Sequence, residues 1–137
     1  MPLLPNAMYL ADTSFIVSPF SKTPSRRKWA QEFLARYKGQ LWTTEAAFTE
    51  ASYLVGDTAI TAKILPDYHF LLEMEGEKLA VAALLDKYSP EMDFADATLV
   101  RASELRPNFK IVTDDEHFDW YHRRQGRERI PVLWIPC

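Results

Sequence analysis

Four consecutive apolar residues, Met8-Tyr9-Leu10-Ala11, run directly into an acid and two hydroxyls, Asp12-Thr13-Ser14, with no glycine or proline between them. A short apolar run closed by polar residues reads as a buried strand. The next clear element, 24–37, carries a helical pattern. A strand followed by a helix is the unit of an open α/β sheet, whose functional crevice lies outside the carboxyl ends of the strands. Asp12 is therefore aimed at the place where such folds keep their chemistry, although Asp and Ser there also serve as ordinary turn residues.

The rest of the chain repeats the alternation. Trp29, Phe33, Leu34 and Tyr37 recur at helical spacing with Arg and Lys between them, and Gly39 is expected to close that helix. Residues 41–43 read as a second, very short strand. Thr43 or Thr44 caps a helix whose buried stripe is Ala47, Phe48, Ala51, Leu54 and Val55 and which Gly56 ends. A short helix over 57–65 stops at Pro66, and residues 67–75 fit either a strand or a helical turn. A helix over 77–88 places Leu79, Ala82, Ala83 and Leu85 at helical spacing. Ser89-Pro90 breaks the chain, and 94–105 is a helix with Ala95, Leu99, Ala102 and Leu105 on one face. Residues 109–112 form a strand that runs into Asp114 and Asp115. Residues 117–124 read as helical, and 130–135 is a last strand that Pro131 assigns to a sheet edge. Strands alternating with helices predict an α/β fold around a mostly parallel sheet.

At 137 residues, 47% of them apolar, the chain is expected to form one domain, 1–137, with a core that needs no staples. The single Cys137 forms no intrachain disulfide and suits a reducing cytosol. No apolar run has the length of a membrane span, and the N-terminus lacks the pattern of a signal peptide. A cytoplasmic protein without membrane contact is expected. The formal charge of −3 argues against a general polyanion binder but leaves room for a local basic patch.

Two strands thus end in acids, and two more acids lie on helices in unusual company. Glu50 has Ala46, Ala47, Tyr53 and Leu54 three and four positions away, the residues it touches on a helix, so its carboxylate borders an apolar face. Asp96 lies in the first turn of its helix, one turn after Asp93, with Leu99 and Val100 at the same offsets. Capping explains acids in a first turn without further function. A parallel sheet nevertheless brings the ends of its central strands together, so Asp12, Asp96 and Asp115 converge with Glu50 close by. Two carboxylates about 5 Å apart repel by roughly 3 kcal/mol at an effective dielectric of ~20. A divalent cation relieves that repulsion, and all-oxygen ligation suits Mg²⁺ or Mn²⁺ rather than Zn²⁺. Cations so held activate water and neutralise the charge that builds on a phosphodiester during cleavage.

Leu10-Ala11-Asp12-Thr13-Ser14, then Thr49-Glu50-Ala51, then Met92-Asp93-Phe94-Ala95-Asp96-Ala97, then Ile111-Val112-Thr113-Asp114-Asp115 with Phe118, resemble the four acidic motifs of PIN domains. The likeness is greatest to the VapC-type toxins of type II toxin–antitoxin pairs. It covers almost the whole chain in order and spacing, weakly at each motif and strongly as a set. It implies a three-layer α/β/α sandwich, Mg²⁺-dependent endoribonuclease activity with Mn²⁺ as a substitute, neutralisation by an antitoxin protein, and a homodimer. Carried over by position, the catalytic and metal-binding acids are Asp12, Glu50, Asp96 and Asp115. The family's Thr-any-Asp pattern selects Asp115, while the spacing back from Phe118 leaves Asp114 open. Glu45, at the start of its helix, is the weaker alternative to Glu50.

Other candidates carry less. His69, His117 and His122 lack ligand-like spacing and read as surface or packing residues. Thr13 and Ser14 orient water or phosphate, or simply satisfy backbone at a strand end. Arg123, Arg124, Arg127 and Arg129 cluster beside Trp120 and Tyr121; they grip RNA phosphates or form a solvated face. The stripe of Trp29, Phe33 and Tyr37 reads as core. A phosphotransferase of the haloacid dehalogenase type also uses an Asp after its first strand, but it needs a second Asp where Ser14 stands. The non-enzyme alternative is a catalytically inactive PIN-like module that binds RNA or protein.

Overall fold

In the computed structural model, which describes residues 8–136, β1 (Met8–Ala11) is the central strand of a five-stranded, all-parallel sheet. Its neighbours are β2 (Leu41–Thr43) and β4 (Phe109–Thr113), with β3 (Tyr68–Phe70) and β7 (Val132–Trp134) at the two edges. Cys137 lies outside the described residues. Around the sheet the chain forms α1 (Thr13–Val17), α2 (Pro24–Arg36), α3 (Glu45–Val55), α4 (Thr58–Ile64), α5 (Met74–Tyr88), α6 (Phe94–Leu105) and α7 (His117–Trp120). The strands β5 (His122–Arg123) and β6 (Glu128–Arg129) make a separate antiparallel ribbon. Among the described residues no helix is long and apolar enough to cross a membrane.

Alternation along the central strands divides the core in two. Leu10, Phe109 and Ile111 join Val81, Tyr88, Leu99, Phe118 and Tyr121 in one cluster. Tyr9, Ala11 and Val112 join Phe15, Ile16, Phe33, Tyr37, Phe48 and Ala51 in the other. Strands buried on both faces are the mark of a parallel sheet covered by helices. The α/β expectation therefore holds, and the stripe of Phe33 and Tyr37 is core, with Trp29 packed against it.

Several local expectations change. Gly39 is not a left-handed cap: α2 ends at Arg36, and a Cβ on Gly39 would collide with the Tyr37 ring. That ring is held by its hydroxyl donating to the Gln40 carbonyl at 3.0 Å. Gly56, at φ 72°, does end α3, which Thr44 caps by accepting from the Ala47 N–H. The expected stripe of α3 is too wide, since Leu54 is exposed and Val55 only half-buried. In α5 the residues Leu79, Ala82 and Ala83 face solvent, while Val81 and Tyr88 are buried. α6 is buried nearly all round, being packed against α3, α5 and β4, although its Leu105 is exposed. The ambiguous 67–75 segment contains β3, paired in parallel with β2. The helix expected over 117–124 stops at Trp120. Arg124, Gln125 and Gly126 then take φ values of 55°, 60° and 87°, and this left-handed run turns the chain into the β5–β6 ribbon.

Candidate functional site

The sheet order is β3-β2-β1-β4-β7, so the chain builds outward from β1 on one side and then crosses to build outward on the other. β1 and β4 flank the point where the order reverses, which is where open α/β sheets form a crevice at their carboxyl ends. Their last residues are in register, Ala11 beside Val112, and the Asp12 N–H donates to the Val112 carbonyl at 3.1 Å. A cleft of about 720 Å³ opens at this edge. Asp12, Glu50, Asp96 and Asp115 all line it, together with Asp93, Asp114 and Glu116. Among the described residues only Arg26 and His117 bring basic side chains to its lining.

Hydroxyl groups fasten the acids that end the two strands. Asp12 Oδ1 accepts from the Thr13 N–H at 2.8 Å, which also caps α1, a helix without a sequence signal of its own. Asp12 Oδ2 accepts from Thr113 Oγ1 at 2.5 Å and from Ser14 Oγ at 3.2 Å. Thr113 Oγ1 in turn accepts from the Asp115 N–H at 3.0 Å, and Ser14 Oγ accepts from the Asp114 N–H at 3.1 Å. Thr13 Oγ1 turns away to the Ala47 carbonyl at 3.1 Å. Ser14 and Thr13 therefore satisfy backbone and orient carboxylates.

Asp93 and Asp96 form a reciprocal capping box at the start of α6. Asp93 Oδ1 accepts from the Asp96 N–H at 2.7 Å, and Asp96 Oδ2 lies 3.4 Å from the Asp93 N–H. Capping is thus real, but it does not exhaust Asp96. That side chain is buried, takes a further bond from Tyr121 Oη at 3.0 Å, and still lines the cleft. Tyr121, fully buried, has no sequence signal because its position depends on where α7 stops. Thr113 is visible in the sequence as the Thr of the Thr-any-Asp pattern, with no sign there of its bond to Asp12.

Among the described residues Asp12, Glu50, Asp93 and Asp96 have no cationic partner. Burial pushes Asp12 up to about 6, against the lowering effect of its hydrogen bonds, with a small further push from Asp115. Burial, then Asp93, then Asp12 raise Asp96 to about 7. Partial desolvation and Asp93 raise Glu50, which sits exposed at the cleft lip. Burial and the neighbouring Asp96 charge raise the Tyr121 phenol, so it stays a donor. Asp115 and Asp114 differ in role. Asp115 acts on both buried acids and is held by the His117 N–H at 2.9 Å, with the His117 imidazole at 3.0 Å. Asp114 is neutralised by Arg26 at 2.5 Å.

The donor set is acidic and all oxygen, and it is short of positive charge, which fits a hard divalent cation. The carboxylates do not yet converge on one point: among the described residues no group of three or more His, Cys, Asp or Glu side chains is placed to hold an ion.

The raised acids set a pH dependence. For a carboxyl raised in the fold, the unfolded chain releases its proton first, so the folded state binds more protons between the two pKa values. Stability then falls as pH climbs. The metal-free protein is expected to lose stability from about pH 4 to about pH 7, the window between the ordinary value of 3.8 and those of Asp12 and Asp96. Urea denaturation across that range in EDTA tests it, and stability that rises steadily to neutrality contradicts it.

The basic cluster is not the open patch its sequence suggests. Arg123 is buried, with its guanidinium donating to the Ser103 carbonyl at 2.6 Å, the Pro107 carbonyl at 3.1 Å and Glu128 at 2.5 Å. Arg124 pairs with Glu128 at 3.0 Å and Arg129 with Asp119. Arg127 is exposed. No protein-family model matches this chain, and no curated protein matches it.

Proposed function

We propose that this chain is a PIN-type, Mg²⁺-dependent endoribonuclease, with a three-layer α/β/α sandwich and the role of toxin in a type II toxin–antitoxin pair. The observation that carries the reading is the gathering of Asp12, Glu50, Asp96 and Asp115 on one cleft at the reversal point of a parallel sheet, with two of them buried and uncompensated. These four acids would hold Mg²⁺, or Mn²⁺ in its place. The ion, when bound, supplies Lewis-acid stabilisation of phosphodiester charge and a nucleophilic water at neutral pH. Thr113 and Ser14 fix the Asp12 carboxylate, Tyr121 fixes that of Asp96, and the His117 N–H fixes Asp115. Arg26, the one arginine on the lining among the described residues, is the group suited to a substrate phosphate, with Asp114 holding it over the cleft until RNA arrives.

Tyr53 and Leu54, 84% and 58% exposed on α3, offer apolar surface to an antitoxin or to a second copy of the chain. Action on RNA under antitoxin control places the protein in the cytoplasm. The rival reading, an inactive PIN-like RNA- or protein-binding module, draws on the carboxylates standing apart. Incubating the pure protein with a panel of structured RNAs separates the two. Cleavage in Mg²⁺ or Mn²⁺ that chelator stops is the expected result, and intact RNA under every condition favours the binding module.

A further inference from the structure

Between Asp12 and Glu32 the chain contains no acid, yet it carries Lys22, Arg26, Arg27 and Lys28. This stretch runs from α1 through a tight turn at Ser18–Phe20 into the first turns of α2. It begins at the carboxylate cleft, since Ser14 and Val17 line that cleft and Arg26 reaches it from α2. Arg26 precedes the buried Ala30 and Phe33 by four and seven positions, which puts all three on one stripe of the helix. The buried stripe therefore runs out over the cleft and ends in a guanidinium. Arg27 follows on the neighbouring face, where its Nη1 donates to the Ser21 carbonyl at 2.8 Å. That bond sets the Arg27 guanidinium against the backbone leading into Lys22, which is exposed.

Charge and position together decide what this surface suits. Among the described residues neither Lys22 nor Arg27 has a carboxylate partner, and Arg26 has only Asp114. Arg101, Arg123, Arg124 and Arg129, by contrast, are all matched by acids. The cleft itself is lined mostly by acids, which repel a polyanion. A phosphodiester chain that reaches it needs charge of the other sign at the rim, and Lys22, Arg26 and Arg27 stand there. Lys28, two residues on from Arg26, lies on the opposite side of the helix, 4.0 Å from Glu32. Arg36, the last residue of α2, is about 15 Å further along the axis than Arg26, beyond the roughly 10 Å over which charge acts at ~0.1 M salt.

We propose that Lys22, Arg26 and Arg27 form the track on which the RNA backbone enters the carboxylate cleft, each taking a phosphate, with Arg26 nearest the scissile bond. The inference rests on RNA being what the cleft receives. Contacts of this kind position a strand and carry no sequence information. Each phosphate so neutralised releases counterions and steepens the fall of affinity with salt. Arg26 must exchange Asp114 for a phosphate, whereas Lys22 and Arg27 have no ion pair to break.

The test uses the full chain with Ca²⁺ in place of Mg²⁺ and titrates a fluorescein-labelled oligouridylate, read by anisotropy, over a series of salt concentrations. Lys22→Gln and Arg27→Gln should each reduce the slope of log affinity against log salt by roughly 0.7, and the double variant by about 1.4. Lys22 is exposed, so its variant keeps the test open should Arg27→Gln disturb the turn at Ser21. Arg36→Gln should leave the parent slope unchanged. Parent slopes in both single variants overturn the track. So does a slope that falls as far in Arg36→Gln as in Arg27→Gln, which would make the effect one of overall charge. Polyglutamate binding that depends on Lys22 and Arg27 while the oligouridylate slope does not would give the surface to an acidic protein segment, and it overturns the track as well. The nuclease reading fails separately: a salt slope that depends on Lys22 and Arg27, without cleavage in Mg²⁺ or Mn²⁺, leaves the track standing and removes the activity.

Discussion

Asp12→Asn is expected to leave the fold intact and to slow RNA cleavage by roughly 10³-fold, the rate equivalent of the several kcal/mol that a correctly held cation contributes to transition-state charge stabilisation. Asparagine keeps the shape and one accepting oxygen, so the bond from the Thr13 N–H and the cap of α1 survive. What it removes is a charge buried at the reversal point of the sheet, together with one of the ligands proposed for the cation. Asp115→Asn should act in the same direction, because Asp115 influences both Asp12 and Asp96. Asp114→Asn should matter less for chemistry, because that carboxylate is engaged with Arg26. Single-turnover cleavage at saturating RNA measures all three. An Asp12→Asn protein that cuts at the parent rate removes Asp12 from the proposed site.

Arg123→Met should carry the largest stability effect, a loss of about 2–3 kcal/mol, because a buried charged donor that serves two backbone carbonyls and the half-buried Glu128 is removed. Its guanidinium ties the Ser103 carbonyl near the end of α6 and the Pro107 carbonyl before β4 to Glu128 on β6. Methionine fills similar volume but leaves those carbonyls without their donor. Arg127→Gln, at an exposed position, should change stability by less than about 0.5 kcal/mol. Urea midpoints at constant slope give both values. An Arg123→Met protein with the parent midpoint but weakened, less salt-dependent RNA binding would return Arg123 to the role of a phosphate contact.

The contrast between Asp12 and Arg123 shows what a single sequence makes legible. Asp12 is readable because strand and acid are adjacent in the chain, and the sheet's geometry then dictates where the acid points. Asp96 is readable as a cap from spacing alone, and its burial follows from α6 lying between α3, α5 and the sheet. Arg123 passes for part of an open basic face because its partners come from 5 to 20 residues away. The turn at Arg124 to Gly126 brings them together. Leu79 misleads for a related reason: apolar spacing on α5 identifies a stripe, but packing against α6 decides which stripe is buried. Tyr121 and Thr113, which hold the two buried carboxylates, are ordinary core residues until the fold places them.

The central claim is that these carboxylates form a cation site, and thermal melting of the parent and of Asp12→Asn, each in EDTA and in Mg²⁺, tests it most directly. A cation that binds only the folded protein should stabilise the parent by about 2.7 kcal/mol at a hundredfold excess over its dissociation constant. In EDTA at neutral pH the variant should melt above the parent. Its asparagine carries no buried charge, whereas Asp12, with its pKa raised from 3.8 to about 6, must ionise there. The gain from Mg²⁺ should shrink in the variant. A parent without any metal-dependent shift, alongside an Asp12→Asn protein that is simply less stable, would show these acids to be structural and contradict the cation site.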